Sequence, residues 1–176
     1  MYCMLQNCSL WRVFEIFSDE PTKIHFIKEI SRKIKLAHTS VKNHLKNLEK
    51  EGLIIKKRGE RFYGFIANRD NKRFLSYKCM ENILKLKESG LIEFILAKME
   101  PRTIVLYGSY LRGEDIESSD IDIFLLSGVK RDLDYMAFSK RLKRNIHIII
   151  ERDLKAISKE LRANIINGLV LEGYLE

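Results

Sequence analysis

The sequence predicts an α+β protein built from two small domains. The chain has 176 residues, a length that allows two such domains. Residues 1–89 carry 19 Lys and Arg against 10 Asp and Glu, whereas residues 90–176 carry 13 against 14. The first half has helical apolar spacing followed by a hairpin pattern, and the second half alternates strands with helices. We place the first domain at 1–68, a linker or bridging helix at 69–90 and the second domain at 91–176.

Composition excludes several other classes of protein. The hydrophobic fraction is 45%, which supports a folded core, and no run of 18 or more apolar residues is present. Residues 1–14 lack the charged-then-apolar layout of a signal peptide. The chain has three cysteines, Cys3, Cys8 and Cys79. Because their number is odd and their spacing does not suit a metal site, we expect reduced thiols. We therefore expect a soluble, cytoplasmic protein without a membrane partner.

Three helices are predicted in the first domain, at Leu10–Phe17, Lys23–Ile34 and Thr39–Lys50, with Gly52 as the stop signal of the third. The third helix has an apolar stripe made of Val41, Leu45 and Leu48. Its opposite face and flanks are polar or basic, and they consist of Thr39, Lys42, Asn43, Lys46, Asn47 and Lys50. Such side chains donate hydrogen bonds to phosphates and base edges, so we predict that they bind DNA.

A β-hairpin is predicted after the third helix. Its strands are Leu53–Ile55 and Phe62–Ala67, joined by a turn at Lys56–Glu60. The predicted DNA-binding cations of this hairpin are Lys56, Lys57, Arg58 and Arg61. Three helices followed by a basic hairpin describe a winged helix-turn-helix domain, and the local basic excess is typical of a protein that binds a polyanion.

The run from Val41 to Leu53, VKNHLKNLEKEGL, also resembles the recognition helix and wing entry of bacterial and archaeal winged-helix repressors. That resemblance implies DNA as a partner, although winged helices also mediate protein contacts. His25, His38 and His44 lack metal-site spacing and are interpreted as core or surface residues, with DNA contact left open for His44. A helix at Phe74–Leu86 suits either a homodimer, as in many repressors, or packing within its own chain.

The second domain contains a pattern typical of a phosphate and metal site. An apolar strand, Thr103–Tyr107, runs into Gly108 and Ser109, and a ten-residue polar stretch then leads to Asp120 and Asp122. Alternation along a strand would place the two carboxylates on one face, about 7 Å apart. Mg²⁺ is commonly shared between one or two carboxylates and substrate phosphates. Glycine allows close approach of the backbone, and N–H groups at a turn can bind an anion.

This pattern resembles the polymerase-beta-like nucleotidyltransferase superfamily, most closely its minimal members. The resemblance covers roughly residues 91–175 and implies a small mixed-sheet domain that binds Mg²⁺ and ATP or another NTP. It implies that Asp120 and Asp122 bind the metal and take part in catalysis, and that the phosphates are held by Gly108, Ser109 and Arg112. In active relatives a third carboxylate on the following strand completes the site. The matching position here is His147.

His147 leaves several alternatives open. The imidazole could serve as a neutral general base, because it titrates near physiological pH. Glu151 could replace the missing acid, since it shares a strand face with His147 by period two. The domain could also bind a nucleotide without transferring it, or serve only as an interaction platform.

The remaining elements of the second domain follow from apolar spacing. We predict helices at Leu91–Met99, Asp132–Arg144 and Leu154–Asn167, with strands at Asn145–Ile150 and Leu169–Leu175. The helix at Asp132–Arg144 carries four cations near its C-terminal end. We interpret them as favourable interactions with the helix dipole and not as phosphate ligands; they are Lys140, Arg141, Lys143 and Arg144.

Three functions from different classes fit these features. The first is a DNA-binding transcriptional regulator whose second domain binds a nucleotide and Mg²⁺. The second is a metal-dependent nucleotidyltransferase that transfers NMP from NTP to a hydroxyl of a protein, an RNA or a small molecule. An antitoxin-like version of it would need a separate protein partner. The third is a non-catalytic scaffold.

Overall fold

The computed structural model describes residues 8–60 and 62–175. The chain divides into two compact units, Met1–Lys78 and Cys79–Glu176. The dividing point lies inside helix α4 (Lys72–Glu88), which extends the predicted helix at both ends. Each unit is therefore described by itself, and the predicted domain limits stay predictions.

The first unit contains three helices and a two-stranded antiparallel hairpin before α4. These elements are α1 (Ser9–Asp19), α2 (Ile27–Ile34), α3 (His38–Lys50), β1 (Ile54–Arg58) and β2 (Tyr63–Ala67). The helices and the hairpin enclose one apolar core, whose members include Val13, Phe14, Phe17, Ile30, Val41, Leu45, Ile54 and Phe74. The core residues of α1 and α3 recur at helical spacing, as the sequence predicts.

Helix α2 begins four residues later than predicted. His25 forms an antiparallel bridge with Phe65 instead, with N···O distances of 2.8 Å from His25 N and 2.9 Å from Phe65 N. The His25 ring is fully buried, and its Nε2 lies 3.1 Å from the Glu20 carbonyl oxygen. Burial lowers the pKa of His25, which keeps the ring neutral. The residues before α2 therefore extend the hairpin.

Strand β1 is longer than predicted, and this changes where the basic residues lie. Lys56, Lys57 and Arg58 are exposed members of β1 and do not belong to the turn. Arg61 lies outside the described residues. His44 is half-buried, and its Nε2 lies 2.9 Å from Ser9 Oγ.

The second unit is built around a four-stranded mixed sheet, as predicted. Its elements after α4 are α5 (Leu91–Met99), β3 (Thr103–Tyr107), α6 (Gly108–Arg112), β4 (Ile121–Leu126), α7 (Met136–Leu142), β5 (Ile146–Glu151), α8 (Lys159–Ile166) and β6 (Leu169–Gly173). The strand order is β5-β4-β3-β6. Strand β3 is antiparallel to β4 and β6, and β4 is parallel to β5.

Side chains alternate between two apolar layers on the two faces of this sheet. One layer packs against α5 and contains Ile104, Leu106, Ile121, Ile123, Leu91 and Ile95. The other packs against α8 and contains Val105, Tyr107, Phe124 and Ile165. The interior strands β3 and β4 are almost wholly buried, which explains their continuous apolar runs.

Two helices of the second unit are shorter than predicted. Helix α7 begins at Met136, and Asp134 Oδ1, two residues earlier, accepts a hydrogen bond of 3.0 Å from the Met136 N–H in the turn before the helix. The predicted helix at 154–167 is divided into a 3-10 turn, Leu154–Ala156, and helix α8. Ser158 Oγ caps α8 by accepting a hydrogen bond of 3.2 Å from the Leu161 N–H. Among the described residues, no helix has the length and hydropathy needed to cross a membrane.

Candidate functional site

The Gly-Ser pair meets the Asp-x-Asp pair through strand register. In the antiparallel ladder of β3 and β4, Tyr107 lies opposite Asp122, so that Gly108 follows next to that carboxylate. Gly108 has a φ of +80°. A Cβ on it would lie 3.2 Å from Asp122 Cγ and would overlap Oδ2. A residue without a side chain is therefore required here, and the two halves of the motif are in direct contact.

The two aspartates differ in their placement. Asp122 is the second residue of β4, its side chain is 26% exposed, and its neighbours Ile121 and Ile123 are buried as predicted. Asp120 is exposed and precedes the strand, which begins one residue later than predicted. That the two carboxylates share a face, and that both bind a metal, remain predictions.

His147 stands beside Asp122 on the neighbouring parallel strand. The register of β4 and β5 pairs the two residues, and His147 Nδ1 lies 3.2 Å from Asp122 Oδ1. An ionised carboxylate only accepts hydrogen bonds, so the geometry assigns the proton to Nδ1. In the neutral ring Nε2 then carries the free lone pair. The His147 side chain is 56% exposed, so the imidazole is accessible to solvent.

Glu151 does not reach the motif. It ends β5 opposite Leu126, four residues beyond His147, which corresponds to about 13 Å along a strand. Both carboxylate oxygens of Glu151 lie 3.3 Å from Lys130 Nζ. The interpretation that Glu151 replaces the third acid is therefore wrong, because sharing a face does not place it near Asp122.

The predicted phosphate-binding residues lie in the short helix α6. Gly108 begins this helix, and Ser109, which follows, is half-buried. Arg112 is exposed, and its Nε donates a hydrogen bond of 2.7 Å to Glu114 Oε2. A phosphate would have to compete with that carboxylate for the guanidinium group. Burial, with a further contribution from the Asp122 charge, raises the pKa of Tyr107 to about 12, so this phenol stays neutral at physiological pH.

A buried polar network supports the loop that leads to Asp120. Asn82 Nδ2 donates hydrogen bonds of 2.8 Å to Asp115 Oδ1 and 2.8 Å to the Tyr110 carbonyl oxygen. An Arg144 guanidinium nitrogen lies 3.3 Å from Asp115 Oδ2, and both side chains are almost fully buried. No signal in the sequence indicates this network, because Asp115 and Arg144 both lie in polar segments that resemble solvated surface.

A cleft of about 350 Å³ lies near the motif but is separate from it. Its lining comes from the loop before Asp120 and from the end of α7, and includes Glu117, Ser119, Ser139, Lys140, Lys143 and Asn145. None of Gly108, Asp122 or His147 lines this cleft. We therefore place the candidate site at the motif residues and not in the cleft.

The polar face predicted on the third helix is present on α3. All six residues named for it are exposed, whereas Val41, Leu45 and Leu48 are buried in the core. The hairpin lies beside the end of this helix, since Lys56 Nζ is 3.8 Å from Glu49 Oε1. The six α3 side chains are therefore accessible, and their contact with DNA remains a prediction.

Residues 90–173 match the family model described as polymerase beta, nucleotidyltransferase. This stretch contains the four-stranded sheet, the Gly-Ser pair and the Asp-x-Asp pair, and it forms a nucleotidyltransferase-like domain. Searches of curated proteins and of solved structures give no significant match.

Proposed function

We propose that this protein is a DNA-binding transcriptional regulator whose nucleotidyltransferase-like domain binds a nucleotide. The observation that carries the DNA-binding part is the exposed polar and basic face of α3, which is backed by a buried apolar stripe. The order of three helices and an antiparallel hairpin supports a winged helix. The concentration of positive charge in residues 1–89 supports a polyanionic partner.

The nucleotide-binding part rests on the contact between Gly108 and Asp122. This contact places a backbone without a side chain next to a carboxylate, as a site shared by phosphates and a cation requires. No group of three or more His, Cys, Asp and Glu residues suited to a metal exists within residues 8–60 and 62–175. Two carboxylates still fit Mg²⁺, because the nucleotide phosphates and water supply its other ligands. Asp120 and Asp122 would hold the ion, which would offset phosphate charge.

His147 favours binding over transfer. The superfamily resemblance implies a carboxylate where this chain has an imidazole, and an imidazole adds no negative charge to hold a second cation. The site retains the Gly-Ser pair and the two aspartates that nucleotide binding would use. It lacks the third carboxylate that active relatives use for transfer.

Sequence-selective DNA binding tests the proposal. We expect the full chain to select a preferred duplex from a random-sequence pool, and Mg-ATP to change the affinity for that duplex. Lys46→Ala should weaken binding and reduce the slope of log affinity against log salt by about one. Lys159→Ala, which removes an exposed cation from α8, is the matched control and should leave the slope unchanged. Failure to select any duplex would exclude the regulator.

A second candidate, a nucleotidyltransferase, has less support and rests on one contact, the 3.2 Å approach of His147 Nδ1 to Asp122 Oδ1. With Nδ1 donating to Asp122, Nε2 is free to take the proton from an acceptor hydroxyl. The acceptor oxygen would form a bond to the α-phosphorus, the bond to the β-phosphate oxygen would break, and pyrophosphate would leave. The structure favours no particular acceptor.

Labelled NTP distinguishes this candidate from simple binding. Transfer to an acceptor should fall by about 10²- to 10⁴-fold in His147→Ala, while nucleotide affinity stays near that of the parent chain. His147→Asp, which supplies the carboxylate of active relatives, should retain transfer. If label transfer persists in Asp120→Asn and Asp122→Asn, a different site or a contaminant is responsible.

A further inference from the structure

The end of the β1–β2 hairpin exposes two large aromatic side chains. Phe62 is 73% exposed and Tyr63 is 70% exposed, and Ile55 on the same hairpin is 46% exposed. Single exposed apolar residues are ordinary on protein surfaces. Two adjacent aromatic residues at the end of a basic hairpin are not explained by the core of this unit, and they indicate a contact surface.

The backbone holds these aromatic residues in place. The Gly59 N–H donates a hydrogen bond of 2.9 Å to the Phe62 carbonyl oxygen and closes the hairpin. Gly64, which follows Tyr63, is packed so closely that a Cβ there would lie 2.8 Å from the His25 carbonyl oxygen. Two backbone hydrogen bonds between His25 and Phe65 fix the strand from the other side. These bonds restrain the backbone from Phe62 to Phe65 before a partner binds, which lowers the entropy cost of binding through this segment.

Two cations lie on the strand that pairs with Tyr63. In the β1–β2 ladder Arg58 lies directly opposite Tyr63. Lys57 lies opposite Gly64, the residue after Tyr63. Lys57 and Arg58 are both exposed. An aromatic side chain flanked by cations suits nucleic acid, because the cations contact phosphates while the ring stacks on bases.

We propose that Phe62 acts as a wedge that inserts between the bases of duplex DNA and partly unstacks one base step. This proposal rests on the proposed DNA-binding function and adds a mode of recognition to it. Proteins that insert apolar side chains between base steps bend the duplex by about 20–90°. Pyrimidine–purine steps such as TA cost least to unstack. The wedge would therefore select DNA by deformability, while α3 reads base edges.

Two duplexes of equal length and matched composition test the wedge. One carries a TA step in every helical turn, and the other replaces these steps with A-tracts. We expect the full chain to prefer the TA duplex and to bend it, as measured by energy transfer between dyes at its ends. A 2-aminopurine at the TA step should brighten on binding, because unstacking relieves its quenching.

Substitutions separate the wedge from the electrostatic contacts. Phe62→Ala should lower affinity for the TA duplex by about tenfold, abolish the preference for TA and leave the salt slope unchanged. Lys57→Ala should lower the salt slope by about one and keep the bend. Tyr174→Ala, which removes an aromatic residue of similar exposure from the second unit, is the control and should change neither quantity.

The outcomes distinguish the wedge from the function on which it rests. If the parent chain binds neither duplex, both DNA binding and the wedge are overturned. If the parent chain binds DNA, but Phe62→Ala gives the same bend and the same preference, the wedge alone is overturned. Selective loss of a protein partner by Phe62→Ala, with the bend retained, would assign these aromatic residues to protein contact and would also overturn the wedge.

Discussion

Gly108→Ala should destabilise the second unit and abolish its nucleotide binding. The left-handed backbone at Gly108 costs a residue with a Cβ about 1–2 kcal/mol. Overlap of that Cβ with the Asp122 carboxylate adds about 1–3 kcal/mol, because Asp122 Cγ and Cβ also lie only 3.2 and 3.3 Å from it and the paired backbone holds Cβ in place. The free energy of unfolding should fall by both amounts, and the displaced Asp122 should no longer hold a cation. Denaturant titration followed by circular dichroism measures the first effect, and thermal shift with Mg-ATP measures the second.

Matched variants make this prediction specific. Gly128→Ala is the control, because a Cβ on Gly128 meets nothing within 4 Å. Asp122→Ala in the Gly108→Ala background should recover part of the lost stability, since it removes the atoms that the new Cβ overlaps. Trp11, the single tryptophan of the chain, lies in the first unit, so its fluorescence measures the unfolding of that unit separately. Equal stability of Gly108→Ala and Gly128→Ala would contradict the contact.

Asp115→Ala should destabilise the second unit by about 3–5 kcal/mol, because it removes the carboxylate beside the buried Arg144 guanidinium. It also removes the acceptor of the Asn82 hydrogen bond that ties the loop to α4. Because this loop leads into Asp120, nucleotide binding should be lost as well. Denaturant titration gives the stability, and titration with labelled ATP gives the binding.

An exposed ion pair provides the comparison for Asp115. Glu114→Ala removes the carboxylate that pairs with Arg112, and both side chains are about half exposed. This substitution should lower the free energy of unfolding by less than about 1 kcal/mol. The double variant Asp115→Leu with Arg144→Met should be more stable than Asp115→Ala, since it removes the charge together with its partner. If Asp115→Ala and Glu114→Ala cost the same, the network does not stabilise the loop.

The sequence predicted the apolar elements well, because their patterns are local. Thr103–Tyr107 and Leu91–Met99 match the structure residue for residue, since a buried strand and an amphipathic helix are each specified by their own side chains. The predictions failed at element ends. His25 left the predicted helix because of a backbone pairing with Phe65, forty residues away in the chain, and no local pattern encodes such a pairing.

The candidate site divides in the same way. Gly108, Ser109, Asp120 and Asp122 were predicted from residue type and spacing, because the chemistry of phosphate and metal binding restricts both. The sequence also predicted that His147 and Glu151 lie on one strand or directly after it. It could not predict their distances from Asp122, because these depend on the parallel register of β4 and β5.

The sequence alone thus determined the α+β class, the basic first half and the motif of the nucleotidyltransferase-like domain. Tertiary structure decided that Gly108 contacts Asp122, that His147 pairs with Asp122, that Glu151 lies too far away, and that Asp115 and Arg144 are buried together. The physical reason is the range of the interactions. Side-chain periodicity acts over a few residues, whereas strand register and buried ion pairs join segments that the chain keeps apart.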